Sequence, residues 1–170
     1  MPRLALAAAI VLLVAGCIRY PETIRPVGGF ELDRYLGTWY EIARLDHGFE
    51  RNLEQVTATY ELREDGKVRV VNRGFDVRDG KWKEAVGKAR FVGSSDEAHL
   101  KVAFFGPFYA SYVVFELDAD YRYAFVSGLN RNYLWLLARS PDLAPAVYER
   151  FVTQAAAAGY DVEELIRVTH

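Results

Sequence analysis

Cysteine is almost missing from this 170-residue chain; the single one is Cys17. That excludes an internal disulfide, so a stable fold must rest on a well-filled core rather than on covalent staples. Histidine is scarce too, with only His47, His99 and His170. No H-x-x-x-H spacing joins them and no pairing of Ser with His and an acid is apparent, so nucleophilic and metal chemistry lack their usual parts. Charge of one sign is also lacking: 21 basic against 23 acidic residues leave a net charge of -2. The signs are intermixed, which leaves no basic field for nucleic acid. What the chain does have is apolar and aromatic surface, with 51% hydrophobic residues, Tyr 11, Phe 10 and Trp 3. That balance suits one globular domain rich in strands, with aromatic side chains to spare for an apolar wall.

The N-terminus reads as an address. Arg3, the apolar run Leu4 to Val14 and the small residues before Cys17 form a signal peptide over residues 1-16. The run is too short to span a bilayer as a helix, which needs about 20 residues. Leu13-Val14-Ala15-Gly16-Cys17 resembles a bacterial lipobox, in which the Cys becomes the lipidated N-terminus. The resemblance implies several acyl chains on Cys17, and more than one chain is what makes anchoring stable. Ile18 follows where an Asp would resemble an inner-membrane retention signal, which favours the outer membrane. Residues 17-29, with Pro21 and Pro26 and mixed charges, read as the lipidated end and a tether to a domain over 30-170.

Within that domain, Gly37-Thr38-Trp39-Tyr40-Glu41-Ile42-Ala43-Arg44-Leu45 is an extended, aromatic first strand. Its Trp39 calls for a partner, and Arg139, ending the run Tyr133 to Arg139, is the candidate. A first strand that meets the last implies a closed sheet. Between them the pattern is strand after strand. Gln55 to Leu62 alternates strictly, Glu64-Asp65-Gly66-Lys67 is an Asp-Gly hairpin turn, and Arg78-Asp79-Gly80 turns again. Eight strands with short connections predict a mainly β fold, an antiparallel up-and-down barrel, which also removes exposed edges. Phe30, Leu32, Tyr35 and Leu36 predict a short turn that plugs one end. Ser140-Pro141-Asp142 reads as a helix start, with Leu143, Val147, Phe151 and Ala155 as the stripe that lies on the barrel's outside and Gly159 as the stop. Leu165 to Val168 reads as one added strand.

Three of these pieces together resemble the lipocalin family. Gly37-Thr38-Trp39 matches its Gly-x-Trp motif, Asp118-Ala119-Asp120-Tyr121 resembles its second motif, and Arg139 resembles the Arg that packs over the Trp at the closed end. More narrowly, Trp39 to Arg44, Phe49-Glu50-Arg51, Thr57 to Tyr60, Phe104 to Tyr109 and Asp161-Val162 resemble the bacterial lipocalins, outer-membrane lipoproteins related to apolipoprotein D. The resemblance implies an eight-stranded calyx with a helix outside and a small apolar ligand within. It gives Gly37, Trp39, Asp120, Tyr121 and Arg139 structural rather than binding roles.

If Trp39 and Arg139 point inward, alternation places Glu41, Ala43 and Leu45 on the inner face of the first strand and Leu137, Trp135 and Tyr133 on that of the last. Ala58 and Tyr60 join from the second. For the remaining wall we expect Val70, Asn72, Ala89, Leu100, Val102, Phe104, Tyr112, Val114, Tyr123 and Phe125. Such a lining suits one acyl chain, at about 0.8 kcal/mol per buried methylene. A fatty acid or a lysophospholipid is therefore the expected ligand, as the resemblance also implies. The segment Asp46 to Glu54 is expected to cross the open end as a lid, with Phe49 and Leu53 over the chain and His47 and Arg51 facing an anionic head group. Glu41 and Glu116 are left open as structural ion pairs. Rival readings are a lipid-processing enzyme, haem carriage through His47 or His99, and a structural envelope protein. No cofactor or metal is called for, and whether the chain forms a homodimer is not written in it.

Overall fold

The computed structural model describes residues 18–170. The expected signal peptide and the lipidation residue Cys17 lie outside the described residues. The helix α1 (Leu32–Tyr35) precedes eight strands in sequence: β1 (Gly37–Leu45), β2 (Leu53–Leu62), β3 (Val68–Asp76), β4 (Lys81–Phe91), β5 (His99–Ala103), β6 (Ala110–Leu117), β7 (Tyr123–Ser127) and β8 (Leu134–Ala138). Helix α2 (Pro145–Ala157), a short 3-10 turn over Val162–Glu164 and β9 (Leu165–Arg167) follow. Every neighbouring pair is antiparallel. The ring closes because β1 pairs with β2 through Gly37–Tyr60 and Trp39–Ala58, and with β8 through Tyr40–Ala138 and Glu41–Leu137. The added strand β9 lies on the upper half of β1, with Ala43 opposite Arg167. Closure removes the unpaired edges that an open sheet of this length would expose.

Two apolar clusters result, one inside the ring and one outside. The inner cluster holds Phe30, Tyr35, Trp39, Tyr60, Val68, Val70, Ala89, Leu100, Val114, Ala124 and Val126. The outer one joins Ile42, Ala43, Leu45, Phe125, Leu134, Leu136 and Ala138 to Phe151 and Ala155 of α2. Helix α2 thus covers the β1–β8–β7 wall with the predicted stripe. Its start differs from the prediction. Ser140 does not cap it; the Ser140 hydroxyl accepts the Asp142 N–H at 3.2 Å in a separate turn, and Pro145 opens the helix. A helix begun at Pro141 would drive the Pro145 ring into the Pro141 carbonyl one turn back, so the second proline sets the start.

The expected tether is also different. Ile24 is buried in the outer cluster, Val27 exchanges backbone hydrogen bonds with Val114 and Ala98, and the Thr23 hydroxyl donates to the Ala158 carbonyl at 2.7 Å. Residues from Tyr20 onward are therefore strapped to the barrel wall, where the apolar Tyr20 and Ile24 find cover that a free linker would deny them.

Candidate ligand cavity

The closed end is built on Trp39, which is fully buried. Its indole N–H donates to the Tyr35 carbonyl at 2.8 Å, and the Arg139 guanidinium carbon lies 4.0 Å over its ring. Arg139 also donates to the carbonyls of Thr38 at 3.0 Å and Arg34 at 2.8 Å, tying strand, helix and floor together. Gly37 sits at φ +92 with Arg139 pressed against the place a side chain would take, so only glycine fits without strain. Tyr121 receives the Glu31 N–H at 2.9 Å and carries Arg34 over its ring. In the second motif the working carboxylate is Asp118, not Asp120. Asp118 accepts from the Arg122 side chain at 2.7 and 2.9 Å and from two backbone N–H groups, which holds it below the usual carboxylate range, whereas Asp120 is exposed.

Above this floor, three tyrosine hydroxyls form a chain, Tyr35 to Tyr112 at 2.6 Å and Tyr112 to Tyr60 at 2.8 Å. Burial raises all three above the ordinary phenol value, so they stay protonated. Three protons serve two contacts, which leaves one O–H free for a polar group.

The hollow begins here. A cavity of about 240 Å³ opens toward the far end, lined by Ala58, Tyr60, Val70, Asn72, Val102, Phe104, Tyr112, Tyr133 and Trp135, all expected, with Phe49 of the lid. Its size lies just under the usual range for ligand sites, roughly 300–1,000 Å³, and suits one narrow chain. A side hollow of about 190 Å³ shares Phe49, Glu50, Val56, Asn72, Phe104 and Phe105 with it and adds Leu53, Arg73 and the stretch Lys83 to Ala85. Asn72 Oδ1 is buried without a hydrogen-bond partner. Sequence reasoning missed Glu50, Phe105, Phe108 and Leu129, which also line the main cavity. Two phenylalanines flanking Gly106-Pro107 were the available signal, since a loop has no other use for them.

Seven expected wall residues lie elsewhere. Ala89, Leu100 and Val114 point inward but are packed into the filled lower half, so they support the cavity without lining it. Ala43, Leu45, Tyr123 and Phe125 face outward beneath or beside α2, which corrects their assignment. On β1 the cause is a bulge: Glu41 pairs with Leu137 but Ala43 pairs with Leu136, so one extra residue flips the alternation. On β7 the cause is register, because Tyr123 and Phe125 lie opposite the outward Ala138 and Leu136. Phe125 meets Phe151 of α2 at 5.1 Å, so the outside of this wall is itself a core.

The bulge turns Arg44 inward, where it forms a buried cluster. Arg44 pairs with Glu41 at 2.8 Å and donates to the carbonyls of Glu50 and Leu53 at 3.0 and 3.1 Å. Glu50 accepts the Trp135 indole N–H at 3.0 Å and lies 2.8 Å from His47 Nε2, off the axis of a well-aligned hydrogen bond. The lid is thus clamped from below. Burial, and next the neighbouring Glu50 charge, raise the Glu41 carboxyl well above its ordinary value. Neither cation expected at the mouth faces it: Arg51 turns out to solvent and pairs with Asp46 at 2.8 Å, and His47 is buried. Glu41 does not reach Arg139 as an ion pair, and Glu116 is outside, bonded to Arg150 of α2. His99 lies on the outer wall against Tyr20. Among the described residues no cluster of three metal-ligating side chains occurs.

Comparison with known proteins agrees with this architecture. The lipocalin-like domain family matches residues 30–170. The outer membrane lipoprotein Blc of Vibrio cholerae is 55% identical over 157 residues, covering 92% of each chain. The protein of the same name from Escherichia coli K12 is 47% identical over 169 residues, 99% of this chain and 96% of that one. Among solved structures, insecticyanin from the tobacco hornworm Manduca sexta superposes with a TM-score of 0.69 at 19% identity, over 89% of this chain and 87% of that one, a likeness of fold alone.

Proposed function

This chain belongs to the lipocalin family, an outer-membrane lipoprotein among generally non-enzymatic binding proteins, and from that premise we propose that it holds one fatty acid or lysophospholipid in its barrel for storage or transport of membrane lipid. The observation that carries the reading is the half-filled interior: an apolar cavity open at one end above a floor whose polar groups are satisfied. The acyl tail runs down toward Tyr60 and Tyr112. No cation lines the main cavity, and Lys83, which lines the side hollow, is already paired with Asp76 and Asp79, so a charged head group stays at the mouth. The unpartnered Asn72 oxygen, in the middle of the β3 wall, is an acceptor for a ligand hydroxyl, which favours lysophospholipid over fatty acid. We assign anchoring to Cys17, and the binding wall to Ala58, Tyr60, Val70, Asn72, Val102, Phe104, Tyr112, Tyr133 and Trp135.

The test is mass spectrometry of what co-purifies with residues 18–170, which contain the whole closed barrel. One acylated molecule per chain is expected. An extract without acylated species, from protein that also fails to take up added lysophospholipid, would overturn the reading.

A further inference from the structure

The rim of the cavity is more apolar than a binding site requires. Phe105 is 74% exposed and Phe108 80%, on the tip between β5 and β6. Phe49 and Leu129, on the two neighbouring loops of the same end, are 53% and 41% exposed. Scattered exposed apolar residues need no explanation, but four converging on one opening form a patch of the kind that marks a docking surface.

What lies beside that tip indicates the partner. On the outer wall just behind it, Lys88 Nζ, Arg90 Cζ and Lys101 Nζ surround the Tyr109 ring at 6.0, 5.4 and 5.4 Å. None of the three has a carboxylate within ion-pair distance among the described residues. Two bare phenylalanines ahead, a tyrosine at the shoulder and three unpaired cations behind match a bilayer in depth order: acyl region, interface, anionic head groups.

The chain's own geometry points the same way. Tyr20 packs on His99 with ring centroids 4.8 Å apart, and His99 shares the outer face of β5 with Lys101, two residues on. Cys17 is three residues upstream of Tyr20, a reach of at most about 10 Å. Cys17 lies outside the described residues, but the chain that leads to it leaves from the outer face of β5, the face that carries Lys101. We propose that the barrel docks with the Phe104–Tyr109 tip inserted in an anionic phospholipid bilayer, so that the cavity mouth opens onto the lipid surface. The N-terminal anchor sets proximity, and the rim sets orientation.

The experiment is flotation of residues 18–170 with vesicles of phosphatidylethanolamine, with and without phosphatidylglycerol. Without any acyl anchor the parent is expected to float with the anionic vesicles and to be released by salt. Replacing Phe105 and Phe108 by serine is expected to lower partitioning at least tenfold. Replacing Lys88, Arg90 and Lys101 by glutamine should cut it about fivefold per charge and remove the response to phosphatidylglycerol. That triple variant does not touch the cavity, so its uptake of a fluorescent acyl probe should be unchanged, which separates docking from ligand binding. Parent protein that stays with the soluble fraction, or variants that float as the parent does, would overturn the proposal. So would a parent dimer that falls to monomer in the phenylalanine variant while neither binds vesicles, since the rim would then be a contact between two copies.

Discussion

The two ends of this barrel are built on opposite rules. At the closed end Trp39, Tyr35, Phe30 and Tyr121 are buried together, and Arg139 ends on three carbonyl oxygens, the Tyr121 one only loosely at 3.4 Å. Toward the open end His47 Nδ1 is buried without a partner, Asn72 Oδ1 is likewise unpartnered midway up the wall, and Phe105 and Phe108 lie bare. Satisfied polar groups and close packing stabilise; unsatisfied ones and empty space cost stability and are retained where something else will fill them. Floor and mouth thus divide stability from binding. Substitutions at one end should leave the other's property alone.

The largest effect is expected at the floor. Trp39→Ala removes a fully buried indole and its hydrogen bond, and should lower unfolding free energy by about 3–5 kcal/mol in denaturant titration. Arg139→Met keeps some packing over the indole but strands the Thr38 and Arg34 carbonyls, for a loss of about 1–3 kcal/mol. Retained acyl binding at temperatures where either variant is still folded would support the division, and lost binding would break it. Ala58→Phe tests the other half. It fills space that is empty, so acyl affinity should fall at least tenfold, about 1.4 kcal/mol, while the melting temperature stays within a degree or two of the parent. A large drop in melting temperature would mean that this wall was already packed solid.

The smallest effect is a pH slope at the boundary between the two ends. Burial holds the Glu41 carboxyl protonated above its ordinary value, so the folded state keeps a proton that the unfolded state releases. Its contribution is complete below the ordinary carboxylate value and fades as pH rises toward the raised one. Glu41→Gln should flatten that decline when melting is followed between about pH 4 and 8. A slope unchanged from the parent would place the titration elsewhere.

The same contrast explains what was legible in the sequence. The floor was, because Gly37, Trp39 and Arg139 are sequence-specific devices and alternation on β2 held from Ala58 to Tyr60, beyond the irregularity between Glu54 and Thr57. The eight-strand closure and the outer helix followed from turn chemistry and period. The wall was legible only where parity held. Nothing in Glu41-Ile42-Ala43 announces a bulge, since no glycine marks it, yet it sends Arg44 inward and Ala43 out. Tyr123 and Phe125 misled for a different reason. Size suggests the inside of a barrel, but α2 makes the outside of that wall equally apolar, and the smaller Ala124 and Val126 face in. The buried Glu41–Arg44–His47–Glu50 cluster was beyond reach because it exists only once the bulge and the lid turn are both formed.

The division of labour makes Trp135 the reporter of choice, since it lines the cavity while Trp39 lies in the floor and Trp82 on the outer wall over Arg73. Titrating residues 18–170 with a lysophospholipid brominated along its acyl chain should quench tryptophan fluorescence saturably at one molecule per barrel, and Trp135→Phe should abolish the saturable part. Quenching that never saturates, or that survives Trp135→Phe undiminished, would contradict an acyl chain in this cavity.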